Sequence, residues 1–126
     1  MPRFLASHLP TLLWSALVAL LLLTSGDLGA PVRPWLASLG VPGADKVIHG
    51  GLFFVEAVCL WRSLRAAGVG PGAASWGAAL GAAVFGLVLE VAQLAVEGRF
   101  LETGDLVANA IGAALWPVAR RLGRRD

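Results

Sequence analysis

Apolar residues gather into four segments, at about 9–25, 45–61, 73–96 and 105–119, separated by stretches rich in Gly, Pro and charge. The first is uncharged and close to the ~20 residues that carry a helix across a ~30 Å hydrocarbon core. Arg3 followed by LLWSALVALLLL and GDLGA also fits a secretory signal peptide, but the rest of the chain reads as more membrane helix rather than as a secreted domain. Residues 26–44 form a Pro- and Gly-rich loop that leaves Trp35 and Leu36 for the membrane interface. RSLRAAGVGPG is the turn between the second and third segments. The fourth segment is short for a span and calls for flanking residues or local thinning of the bilayer. Nothing alternates with period two over the ~10 residues of a barrel strand. The pattern therefore predicts an all-α, four-helix transmembrane bundle, with residues 1–126 as a single domain.

Polar residues interrupt these segments at particular places. Asp45, Lys46 and His49 open the second, Glu90 and Gln93 lie toward the end of the third, and Asp105 and Asn109 open the fourth. Consecutive spanning helices run antiparallel, so all three groups fall at the same level. Ionisable groups in membrane helices are costly and usually face the bundle interior, where they mark function. At ~100° per residue, Asp45, His49, Leu52 and Glu56 share one stripe, with Gly50 and Gly51 allowing a neighbouring backbone close to the His. Ala74, Ala78, Ala82, Gly86 and Glu90 form a ladder of small side chains ending in a carboxylate, the usual surface for close helix contact in lipid. Asp105, Asn109 and Gly112 share a face of the fourth segment.

Composition agrees with a membrane chain: 57% of residues are hydrophobic and 14% charged. The net charge of +2 comes mostly from an Arg-rich tail, which speaks to orientation and not to nucleic acid. With the N-terminus cytoplasmic, that side holds Arg3, Arg62, Arg65, Arg120, Arg121, Arg124 and Arg125, against Arg33, Lys46 and Arg99 opposite. The positive-inside rule then puts both termini in the cytoplasm and the polar cluster on the extracytoplasmic face. Cys59 is the only cysteine, which excludes an internal disulfide and a CxxC site, and its place in an apolar run suits core filling.

The runs DKVIHGGLFF (45–54) and EVAQLAVEGRFLETGDLVANAIGAAL (90–115) resemble the two signature regions of the VanZ-like family of small bacterial membrane proteins. The matching residues are Asp45, Lys46, His49, Phe53, Glu90, Gln93, Arg99, Asp105, Asn109 and Gly112. The resemblance implies a multi-pass protein of the bacterial cytoplasmic membrane, in a family named for a member associated with reduced susceptibility to teicoplanin. It implies no settled reaction. Glu56, where an apolar residue is expected, and Trp116-Pro117, where a small residue is common, depart from the pattern.

Each polar residue also has a plainer role. Asp45 and Asp105 follow Gly-containing turns and suit helix N-caps. Lys46 and Arg99 suit the interface, with their stems snorkelling toward water. Glu90, Gln93 and Asn109 suit interhelical hydrogen bonds, worth about 0.6 kcal/mol each. Glu56 lies ~16 Å along its helix from Asp45, near mid-bilayer, with no partner legible. Three function classes follow. In the first, the protein binds or modifies a lipid-linked envelope intermediate: His49 and Glu90, with Asp45 and Asp105, move protons, while Arg99, Lys46, Gln93 and Asn109 hold an anionic group. Asp45 lies one turn before His49 and would set its tautomer. The second class is a metal site built on Asp45, His49, Glu90 and Asp105. It is disfavoured, since no ligand pair follows a recognised metal motif and Lys46 would repel the ion, so neither metal nor cofactor is expected. In the third, the protein is structural or partner-binding, and its polar groups fix helix register.

Overall fold

Glycine and proline set where the helices begin. In the computed structural model, described for residues 2–23, 33–40, 43–95 and 102–124, α1 covers Pro2–Leu23, α2 Arg33–Ser38, α3 Ala44–Ala66, α4 Pro71–Gln93 and α5 Thr103–Leu122. Gly43 precedes α3 at a φ of 66°, a left-handed conformation that costs glycine little. Pro71 opens α4, where its missing N–H is no loss because a first-turn N–H has no intrahelical partner. The four long helices form an all-α bundle, while α2 is a short turn of helix touching α3. α1, α3 and α5 are longer than their apolar segments, whereas α4 starts two residues before its segment and ends three residues short of Val96. α1 begins at Pro2 and keeps Pro10 inside, and α5 continues through Pro117 into the basic tail. Helical hydrogen bonding thus extends into the flanking polar residues, beyond what hydrophobicity marks.

Side-chain contacts give the directions. Thr11 lies beside Ser63 and Leu22 beside Gln93, so α1 runs antiparallel to α3 and parallel to α4. His49 meets Asn109 at the start of α3 and α5, and Trp61 meets Trp116 near their ends, so these two run side by side. The result is an up-down-up-down bundle. Three helices are long and apolar enough to cross a membrane: Arg3–Leu23, Asp45–Ala66 and Pro71–Gln93.

The distribution of residues inverts that of a water-soluble domain. Large apolar side chains such as Leu12, Leu13, Leu80, Val88 and Ile111 are exposed, whereas the interior holds Ala57, Ala74, Ala78, Ala82 and Ala113 with Glu56, Glu90, Gln93 and Asn109. Without a hydrophobic drive between helices in lipid, small residues that let backbones approach and polar groups that bond across helices hold the bundle together. This is a small multi-pass membrane protein. The ladder from Ala74 to Glu90 is buried throughout, as its spacing predicts. The closest approach joins α3 and α5, where a Cβ on Gly112 would lie 2.7 Å from the Gly50 Cα. Gly51, by contrast, borders open space.

A polar seam fastens α1 to the rest. Thr11 donates to the Cys59 carbonyl (2.9 Å), Trp14 Nε1 to the Leu52 carbonyl (3.1 Å) and Ser15 to Glu56 (2.7 Å). Ser15 is thus the partner that Glu56 lacks in the sequence. At the end of the bundle where α1 starts, the Arg120 guanidinium stacks 4.5 Å over the Trp61 ring and donates to the Pro71 carbonyl (3.0 Å) and to Ser75. Trp116 packs edge-on against Phe54 and Trp61, so the Trp116-Pro117 departure is absorbed in the interior of α5. At the other end, Trp35 is exposed on α2; the Leu36 side chain lies outside the described residues.

Candidate functional site

The cluster forms where α3 and α5 begin and α4 ends. Close contact of Gly50 with Gly112 brings α3 and α5 together one turn below it, and the ladder on α4 delivers Glu90 against both. His49 Nδ1 lies 3.1 Å from Asn109 Oδ1, and His49 Nε2 lies 3.7 Å from Asp105 Oδ2. Glu90 is fully buried and Asn109 nearly so, while His49 and Asp105 are half-buried. Among the described residues, the one hydrogen-bonding neighbour of the Glu90 carboxylate is the Asn109 side chain, and the contact between them falls outside ordinary hydrogen-bond geometry. Most buried polar groups are satisfied, so a carboxylate enclosed this way needs an explanation.

Lys46 caps the cluster on its outer side. Its ammonium contacts Asp105 Oδ1, Glu102 (2.8 Å) and Asp45 (3.3 Å). Three carboxylates therefore share one cation, and Glu102 is a partner that the sequence pattern did not suggest. Lys46 is not a bare interface marker with its head in water.

The structure corrects two roles expected of Asp45. First, the carboxylate facing His49 is Asp105, not Asp45, whose exposed side chain turns to Lys46. The buried face of α3 runs through Phe53, Glu56 and Ala57, and Asp45 falls off its end toward solvent. Second, neither Asp45 nor Asp105 is an N-cap. Those positions belong to Gly43 and Glu102, without a side-chain capping bond. Both aspartates sit in a first turn, where negative charge still suits the helix dipole.

Gln93 is buried, but its Nε2 donates to the Leu22 carbonyl (2.8 Å) and so ties α4 to α1. Arg99 lies outside the described residues. His49, Glu90, Asp105 and Asn109 thus come together from three helices, with Lys46 at the rim.

His49 Nδ1 lies against Asn109 and Nε2 toward Asp105; in the tautomer that donates Nδ1–H to Asn109 Oδ1, Nε2 offers its lone pair on the Asp105 side. Such a group can accept a proton or ligate a cation. No family model, curated protein or solved structure matches this chain.

Proposed function

We propose that the chain is a VanZ-like protein of a bacterial cytoplasmic membrane, with both termini cytoplasmic, and that its polar cluster acts on an anionic cell-envelope intermediate at the extracytoplasmic face. The residue pattern of the two signature runs supports the family. The excess of arginine at the termini and at the end of α3, Arg62 and Arg65, supports the orientation. The observation that carries the reading of a site is Glu90: fully buried, grouped with His49 and Asp105, and with no polar neighbour among the described residues beyond these two except the Asn109 side chain that also meets His49. Glu56, the other buried carboxylate, is held by Ser15, whereas Glu90 is grouped with a histidine and a second carboxylate.

The register reading has its own support, and it applies elsewhere in the molecule. Ser15 with Glu56, Thr11 with Ser63, and Gln93 with the Leu22 carbonyl all join α1 to its neighbours. In this view α1 is fastened by structural polar contacts, and α3, α4 and α5 carry the site. Lys46 is engaged by three carboxylates, so the cation offered to an anionic headgroup is Arg99, whose planar fork suits phosphate or carboxylate.

Binding of a polyprenyl diphosphate to the purified protein tests this. Arg99→Gln is expected to weaken binding, and rising salt to weaken it in the wild type. Equal affinity of the two proteins would defeat the proposal. The link to glycopeptides is tested by teicoplanin susceptibility of a sensitive host expressing wild type or Glu90→Gln; it requires that only the wild type change susceptibility.

A further inference from the structure

Charge at the cluster poses a problem for any anionic ligand. Asp45, Glu102 and Asp105 surround Lys46, and Glu90 lies behind them, so carboxylates outnumber the one described cation. One ligand atom each from His49, Glu90 and Asp105, a ring nitrogen and two carboxylate oxygens, lie within 4.8 Å of one another. His49 Nε2 is 3.7 Å from Asp105 Oδ2, beyond hydrogen-bond range, and the donor recorded for Glu90 is the Asn109 side chain at the edge of the trio. Two carboxylates and an imidazole converging on one point suit a shared cation.

We propose that His49, Glu90 and Asp105 bind a first-row divalent metal ion of the Zn²⁺ or Mn²⁺ class. One imidazole with two carboxylates suits these borderline ions better than Ca²⁺ or Mg²⁺, which favour oxygen alone, or Cu⁺, which favours sulfur. Ligand atoms at ~2.1 Å from one ion stand roughly 3.0–3.5 Å apart. The His49–Asp105 separation of 3.7 Å is already close to that, and a Glu90 oxygen lies within 4.8 Å of the other two ligand atoms.

The outer shell is also in place. A ligating histidine characteristically donates its other N–H to a fixed acceptor, and Asn109 Oδ1 occupies that position at 3.1 Å. Repulsion by Lys46, the argument against a metal in the sequence, is blunted by geometry. Its ammonium is drawn to Asp105 Oδ1, Glu102 and Asp45, whereas the opposite oxygen of Asp105 faces His49. Three protein ligands leave positions for water or for an oxygen of a bound anion. The inference rests on reading this cluster as a functional site, and it explains how an anion is received among carboxylates.

Purified full-length protein in detergent, stripped with EDTA, is titrated with ZnCl₂ or MnCl₂ alone, read by calorimetry and by the shift in Tm. One equivalent is expected to bind. His49→Ala, Glu90→Gln and Asp105→Asn should each weaken it roughly 10-fold or more. Asp45→Asn, outside the trio, should leave affinity within about threefold, and Lys46→Gln should tighten it, since a nearby cation is removed. That gain in affinity does not arise from misfolding. Absence of binding by folded wild type overturns the proposal, as does binding that survives Glu90→Gln but is lost on Asp45→Asn, which would put the ion on the exposed carboxylates. Binding lost with Glu90 and His49, in variants that still hold the polyprenyl diphosphate with wild-type affinity, would uphold the metal site and defeat the envelope reading. An unbound metal beside Arg99-dependent lipid binding would do the reverse.

Discussion

Gly112→Ala is the sharpest test of how the site is assembled. A Cβ at this position would overlap the Gly50 carbonyl and lie 2.7 Å from both the Cα and the carbonyl carbon of Gly50. Carbon atoms rest at ~3.5 Å or more, so α3 and α5 must part by nearly 1 Å. Rigid backbone stands on both sides, and no side chain can swing away. Overpacking of this kind costs about 1–3 kcal/mol, occasionally more, or roughly 5- to 150-fold in the folding equilibrium. Asn109 lies one turn before Gly112 and His49 next to Gly50, so the same separation stretches their 3.1 Å hydrogen bond toward ~4 Å, where it no longer holds. The assay is unfolding in mixed detergent micelles followed by circular dichroism, with Gly51→Ala as control. A methyl group on Gly51 would meet nothing within 4 Å, so that variant should gain up to ~1 kcal/mol from helix propensity. Gly112→Ala as stable as wild type would show that the two helices do not meet at this point.

Two further outcomes follow from the helix contacts and the charge pattern. Ser15→Ala leaves buried Glu56 with no partner among the described residues, and should cost about 1–3 kcal/mol. Ser15→Ala combined with Glu56→Leu should recover most of that loss, because removing both polar partners avoids an unsatisfied buried group; equal losses in the single and double variants would reject the pairing. Cysteine labelling in intact cells should find positions 62–65 and the C-terminal tail cytoplasmic and position 99 outside, as the arginine distribution requires. Position 99 labelled from the cytoplasm would reverse the orientation and move the site to the other face.

Much of the scaffold was legible because helix geometry repeats. The four-residue spacing from Ala74 to Glu90 fixes one face of α4 without knowledge of its neighbours, and that face is the buried one. Alternating helix direction brings His49, Glu90, Asp105 and Asn109 to one level, which needs only segment order. The choice between Asp45 and Asp105 as the carboxylate beside His49 was not legible. One turn of helix relates Asp45 to His49, but the rotation of α3 about its axis is set by the Gly50–Gly112 contact and by the burial of Phe53 and Glu56, which no local pattern encodes. Ser15 and Thr11 were hidden for a similar reason: in an apolar run a hydroxyl attracts no notice until a partner such as Glu56 or Ser63 lies opposite. Glu102 escaped because a charge just before a helix reads as solvated, whereas it holds the ammonium of Lys46.

The site and the docking of α5 are physically coupled. α1, α3 and α4 meet the length and hydropathy of a membrane span by themselves, and α5, with Asp105 in its first turn and Arg120 and Arg121 in its last, is not among them. It packs along both α3 and α4. Asp105 pairs with Lys46, Asn109 meets His49, Gly112 seats on Gly50, and Arg120 stacks on Trp61 and bonds to Ser75. At each level a polar or small residue of α5 finds its complement on a helix that precedes it in the chain. Polar groups that form the cluster therefore also hold the last helix in place, so a substitution that deletes a side chain there perturbs assembly and chemistry together. Near-isosteric changes, Glu90→Gln and Asp105→Asn, keep the shape and remove the charge. They separate the two because α5 docking depends on shape, backbone approach and the Arg120 stack, whereas cation binding depends on the carboxylate charge itself.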